Sequence, residues 1–261
     1  MTYLSGQLDS VQRASGAASA RLEPVLLALF ATLFVTLIGL SGSDTDGIPN
    51  SDDLLRLVEV RDLLAGQSWF DLTQYRLGLE GGTVMHWSRL VDAPIAGIVM
   101  TVTAMNGDAA LGEAVAKILW PAITLLSAMA ALMTACARTG NAAWRLPVAV
   151  IGAVALWTTG AFGSGALDHH NIQIALALWL LALLLPGGRA VAAHAWAGLV
   201  AVAMIAIGME VLPYVALAGV AVGWFGSPSL AAHRVATLAA HLAFLAPLAI
   251  AQAAAISSTE R

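Results

Sequence analysis

The sequence predicts an all-α protein, a polytopic transmembrane helix bundle with about seven crossings and a long external first loop containing amphipathic helices. Three observations predict it. First, 59% of the 261 residues are hydrophobic and only 11% are charged, whereas a soluble domain carries about 25% charged residues. A soluble core of this size could not hide so much apolar surface. Second, runs 24–42, 118–137, 146–163, 172–186 and 235–256 hold almost no charge. Crossing the hydrocarbon takes about 20 helical residues, and in lipid each backbone polar group must be paired within its own segment. Third, the arginines between the runs fall into a pattern that fixes the topology.

That pattern decides how residues 94–106, apolar but short, are read. If they do not cross, then Arg13, Arg21, Arg138, Arg145, Arg189 and Arg234 all lie on the side of the N-terminus. If they do cross, the later arginines change sides. The positive-inside rule favours the first arrangement. The expected crossings are therefore 24–42, 114–137, 146–165, 171–187, 192–208, 211–227 and 235–256. Residues 1–23 form a cytoplasmic tail, loosely ordered over 5–20, and 24–261 form the transmembrane domain with external loop 43–113. The fifth and sixth crossings meet at Gly208-Met209-Glu210 with almost no loop, so they could form a broken pair. The first run starts too far from Met1, and is followed by too many others, to read as a cleaved signal peptide.

Some classes are excluded at this stage. The lone Cys136 rules out an intrachain disulfide and a cysteine zinc cluster. A formal charge of −4 with no basic run points away from nucleic acid.

The external loop gathers the acidic residues, including Asp44, Asp46, Asp52, Asp53, Glu59, Asp62, Asp71, Glu80, Asp92, Asp108 and Glu113. Leu54, Leu55, Leu57, Val58, Val60, Leu63 and Leu64 recur at helical spacing with Arg56, Glu59, Arg61 and Asp62 between them. This predicts an amphipathic helix on the membrane or against the bundle, ended by Ala65-Gly66-Gln67. A turn is expected at Glu80-Gly81-Gly82. Trp69 and Trp87 suit a membrane interface. Arg89, beside aromatics, could hold a phosphate bidentately or form a salt bridge to Asp92 or Glu80. His86, His194, His233 and His241 read as structural.

Two polar clusters fall on the outer side in this topology. One is Ser51-Asp52-Asp53; the other is Asp168-His169-His170-Asn171. Carboxylate and imidazole together suit a divalent cation, Mg²⁺ or Mn²⁺, and a turn can aim Asp168 and His170 at one ion. The competing reading is that Asp168 caps the apolar helix that follows. Glu210, an ionisable group between apolar helices, is a functional candidate by its position, although it lies close enough to the outer end to reach water.

These residues resemble the membrane glycosyltransferases of the GT-C fold, and most nearly the N-terminal transmembrane part of the oligosaccharyltransferase catalytic subunit and its archaeal and bacterial relatives. The likeness covers roughly 24–226. It rests on Asp52-Asp53-Leu54-Leu55-Arg56 after the first crossing, with Arg61 beyond it. Next come an external loop through Trp69-Phe70-Asp71 to Arg89 and a short apolar segment. Finally, Gly165-Ala166-Leu167-Asp168-His169-His170 stands where the family has its second acidic motif. The resemblance implies a metal-dependent transfer of sugar from a polyprenyl-phosphate-linked donor to a glycan, lipid or protein acceptor. It places the chain in a cell inner membrane, N-terminus inside and loop 43–113 in the periplasm. It makes Asp52 and Asp53 the catalytic candidates, and Asp52, Asp168 and His170 the metal ligands. Arg89, Trp87, His169 and Glu210 become the substrate-binding candidates.

Oligosaccharyltransferases have more crossings, a later external loop with a further glutamate and a soluble domain bearing a Trp-Trp-Asp motif. None of these occurs before Arg261, so the expectation is a truncated chain or a short relative with a different acceptor. The alternative is a non-catalytic membrane protein: an incomplete enzyme half, a scaffold or a transporter fragment. A transporter would place polar groups at mid-membrane on broken helices. Here they gather outside, which favours surface chemistry.

Overall fold

The computed structural model describes residues 2–41, 50–78, 80–185 and 191–224, with side chains described within 22–220. The expected crossing 235–256, the residues Asp44, Asp46, Arg189, Arg234, His233 and His241, and the side chains of Arg13 and Arg21 lie outside what is described.

The chain is mostly helical. Its α-helices are α1 (Thr2–Ser41), α2 (Ser51–Leu64), α3 (Arg89–Asn106), α4 (Ala109–Thr139), α5 (Arg145–Thr158), α6 (His170–Leu184), α7 (Val191–Ile207) and α8 (Leu212–Trp224). Strands β1 (Thr73–Gln74) and β2 (Thr83–Val84) pair antiparallel between α2 and α3.

Two helical segments are long and apolar enough to cross a membrane, Leu22–Ser41 with 20 residues and Ala109–Thr139 with 31. At 1.5 Å per residue the first alone spans about 30 Å, the thickness of the hydrocarbon. The apolar helices from Ala142 onward are shorter. Chain breaks the sequence reading did not place are one reason: α5 stops at Thr158, and turns through Gly160 and Gly165, both at positive φ, lead to α6. The backbone helix of α1 runs back to Thr2, where a loosely ordered tail was expected; alanines at 14, 17, 18 and 20 favour helix.

Helix α4 is the central post. On one flank, Ala28, Ala31 and Val35 of α1 and Ala149, Ala153 and Leu156 of α5 close on its Leu125, Ala128, Met129 and Met133. Alanine at these contacts lets helix axes approach closely, as is usual between membrane helices. On another flank, α2 and α3 pack on its first turns through Leu57, Val60, Val91, Ile95, Val99, Ala116 and Trp120. The apolar stripe of α2 thus faces protein, one of the two placements its periodicity allowed. Residues 94–106 form most of α3, which turns at Gly107 and packs back along α4. There Gly112 lies so close that a Cβ would sit 2.8 Å from the Val99 carbonyl oxygen. Helix α7 leans on α6 through Leu180, Ala197, Ala201 and Met204.

Polar groups are sorted to the two ends. At one end Arg145 pairs with Glu23 at 2.6 Å, and Arg138 donates to the Leu183 carbonyl at 3.0 Å. The start of α2, the α5–α6 turn and the α7–α8 junction meet at the other.

Candidate active site

Helix α2 opens with Asn50, whose side chain accepts from the Asp52 amide, and has Asp52 and Asp53 in its first turn, where carboxylates suit the positive end of the helix dipole. Positions 53, 56, 57 and 60 share one face at i, i+3, i+4 and i+7 spacing. That face meets the α5–α6 turn. Asp53 Oδ1 accepts the backbone N–H of both Leu167 and Asp168 at 2.8 Å. The two acidic motifs are therefore joined directly, across 114 residues of chain.

Asp168 is buried, and its two oxygens have different surroundings. Oδ1 is 2.6 Å from His169 Nδ1 and 3.7 Å from Arg56 Nη2. Oδ2 is buried with no hydrogen-bond partner and faces His170 Nε2 at 3.2 Å. Burial alone would raise this carboxyl, but the hydrogen bonds from His169 and the nearby His169 and His170 rings outweigh it and hold it at about 2. The N-cap residue of α6 is His169, whose side chain makes no capping hydrogen bond, and Asp168 Oδ1 is engaged by the His169 ring rather than by a cap. His169 sits between two carboxylates, with Nε2 2.9 Å from Glu210 Oε1. Burial works against its charge, but Asp168 and then Glu210 prevail and raise its pKa above the usual imidazole value. The half-buried Asp53 is pushed up, chiefly by burial, despite its two backbone hydrogen bonds.

Ligand atoms of Asp168, His169 and His170 all lie within 4.8 Å of one another. His169 has both ring nitrogens engaged, which leaves the partnerless Asp168 Oδ2 and the exposed His170 Nε2 as the donors open to a cation. A carboxylate oxygen and an imidazole nitrogen are a donor pair that could take part in holding a divalent cation.

Behind this cluster lies a buried charge network that the sequence reading missed. Arg56 is wholly buried; it pairs with Asp92 at 2.8 Å and Glu59 at 3.4 Å, and stacks 4.5 Å over the Trp87 ring. Trp87 in turn lies 6.3 Å from the His169 ring. Glu59 is raised to about 7, by burial first and then by Asp92, against the pull of Arg56 and Arg89. The signal that could have found Arg56 is its i+3 spacing from Asp53.

The structure thus brings together Asp53, Asp168, His169, His170, Trp87 and Glu210. Asp52 lies beside them, where its carboxylate accepts the Ser51 hydroxyl at 3.2 Å. Arg89 stands one step back. It is buried, pairs with Asp92 at 2.9 Å, and donates to Gln67 and to the carbonyls of Glu59 and Asp71. Of its two readings, the geometry takes the salt bridge to Asp92. No family model, curated protein or solved structure matches the chain.

Proposed function

We propose that the chain is a membrane glycosyltransferase of the GT-C kind, transferring sugar from a polyprenyl-phosphate-linked donor at the outer face of a cell inner membrane. The observation that carries this reading is a buried carboxylate oxygen on Asp168 that accepts no hydrogen bond and lies 3.2 Å from His170 Nε2, in a turn that Asp53 ties to the start of α2. In support of a bilayer, Leu22, Leu26, Phe30, Leu33, Phe34 and Leu37 of α1 are exposed along a 20-residue apolar segment. In support of the orientation, Arg138 and Arg145 lie at the end opposite the acidic cluster, as the positive-inside rule asks of seven crossings with a cytoplasmic N-terminus.

Asp168 and His170 would hold Mg²⁺ or Mn²⁺; Asp52, the third expected ligand, is not among the grouped ligand atoms and its carboxylate contacts Ser51. The cation supplies Lewis-acid neutralisation of the phosphate that leaves. The acceptor's oxygen forms the new bond to the anomeric carbon. The bond from that carbon to the donor phosphate breaks, and its electron pair stays on the phosphate. The acceptor's proton goes to Asp53. Its Oδ1 is occupied by backbone, Oδ2 is left without a hydrogen-bond partner among the described residues, and its raised pKa suits a base. Trp87, buried with Arg56 over its ring, is a wall of the site rather than an open stacking face. Arg89 serves as scaffold rather than phosphate clamp.

The test is transfer of labelled sugar from a polyprenyl phosphate donor by the purified chain, with and without Mn²⁺. Asp168→Ala and Asp53→Ala should each lower the rate at least 100-fold, and chelation should abolish it. Full activity in both variants sinks the mechanism.

A further inference from the structure

Glu210 comes from the short helical turn between α7 and α8, an element otherwise separate from the Asp168 motif. Its side chain is 46% exposed, yet it is held by two contacts. It folds back, so that Oε1 lies 2.9 Å from His169 Nε2 and accepts from Gln173 Nε2 at 3.3 Å. Gln173 is buried one turn along α6 from His169, and also donates to the Met204 carbonyl at 3.1 Å, which ties the end of α7 to α6.

Gly208 fits this fold-back. Its φ of −168° is extended backbone open to any residue, so glycine is not required by conformation. A Cβ there would overlap both carboxylate oxygens of Glu210, so any larger residue must push that flexible carboxylate aside. Nothing else among the described side chains comes as near.

We propose that Glu210 is a positioning residue for Asp168. It acts through His169, and Gly208 leaves the room that lets it do so. The imidazole is held at both nitrogens, so Nδ1 stays on Asp168 Oδ1 at 2.6 Å. That fixes the carboxylate plane and keeps Oδ2 turned to His170. A carboxylate–imidazole pair behind a ligand orients it and typically changes metal affinity by about 10- to 100-fold. The inference rests on the cation reading of Asp168 and His170, and adds that the α7–α8 junction controls how tightly the cation is held.

Mn²⁺ binding to the purified full chain, followed by electron paramagnetic resonance, tests it, with thermal unfolding as the control for folding. Gly208→Ala keeps every polar group and needs no strained backbone, yet displaces the Glu210 carboxylate. It should weaken Mn²⁺ about tenfold or more at unchanged unfolding temperature. Glu210→Ala should match it, and Glu210→Gln, which still offers an oxygen to His169, should recover most of the loss. Wild-type affinity in Gly208→Ala and Glu210→Ala, with binding abolished in Asp168→Ala, would overturn the positioning role and leave the cation site standing. Glu210→Gln as weak as Glu210→Ala would overturn it too, by making Glu210 a direct ligand. No Mn²⁺ binding by the wild type would remove the cation reading and this inference with it.

Discussion

Arg56 sits where four groups compete for one guanidinium. Asp92 takes Nη1 at 2.8 Å, Glu59 shares it at 3.4 Å, Asp168 faces Nη2, and Trp87 covers the plane. Removing one partner of a buried ion pair strands the other charge at about 3–5 kcal/mol. Arg56→Met should therefore lower stability by about that much, measured as a fall in unfolding temperature in detergent. Glu59 adds a pH dependence. Its carboxyl, 4.5 when unperturbed, is raised to about 7 in the fold. Between those values the folded state holds more protons than the unfolded one, so this group's stabilisation is present below about pH 4.5 and is lost as pH rises through 7. Glu59→Gln should remove that decline, gaining stability at pH 8 and little at pH 4, where the native carboxyl is already neutral; parallel unfolding profiles across this range would refute it. Beyond the i+3 spacing of Arg56 from Asp53, little of this was legible in the sequence. An amphipathic reading of α2 assigns Arg56 and Glu59 to the polar side by residue type, whereas both are buried against α3. Asp168-His169-His170 was legible because adjacent residues need no tertiary structure to be neighbours. The His169–Glu210 pair was not, since a 41-residue separation carries no spacing signal.

Elements follow the same division. Helix α2 was legible from the period of its leucines and valines, and its end from Ala65-Gly66. The β1–β2 hairpin was not, because two residues per strand leave no alternation to detect; the glycines at 81 and 82 marked only its turn. Helix α3 begins at Arg89, five residues before the apolar run that announced it, because Ser88 caps it by accepting from the Leu90 amide at 3.3 Å and Asp92 suits its first turn. Its contact with α4 is set by one glycine. A Cβ at Gly112 would meet the Val99 carbonyl at 2.8 Å and the Thr103 hydroxyl at 3.0 Å. The first is backbone and cannot swing aside, so the two helices must separate. Gly112→Ala should cost about 1–3 kcal/mol, as overpacking of a close-packed contact does. A wild-type unfolding temperature in Gly112→Ala would show that α3 rides loosely on α4. Because α3 also carries Arg89 and Asp92, the same variant should loosen the network behind Asp168.

For the whole molecule, the decisive property is that charged groups of both signs gather at the two ends and leave the helical middle apolar. Arg138, Arg145 and Glu23 lie at the α4–α5 end, while Asp53, Arg56, Asp168 and Glu210 meet at the far end. Such sorting suits the bilayer proposed above, since moving an arginine into hydrocarbon costs several kcal/mol. Two exposed positions convert this into a measurement. Ala143 lies in the α4–α5 connection, and Val84, 75% exposed, lies on the β2 strand. Native Cys136 is buried within α4, so it gives little background to a membrane-impermeant thiol reagent. On the proposed topology, in sealed membrane vesicles of known sidedness, Val84→Cys should label only from the outer face and Ala143→Cys only from the cytoplasmic face. The distinction also bears on α3. If residues 94–106 crossed, Val84 and Ala143 would be separated by one more crossing and would label from the same side. Labelling of both from one face therefore removes the topology that puts the Asp168 cluster outside, while labelling of both from either face of intact vesicles removes the membrane reading itself.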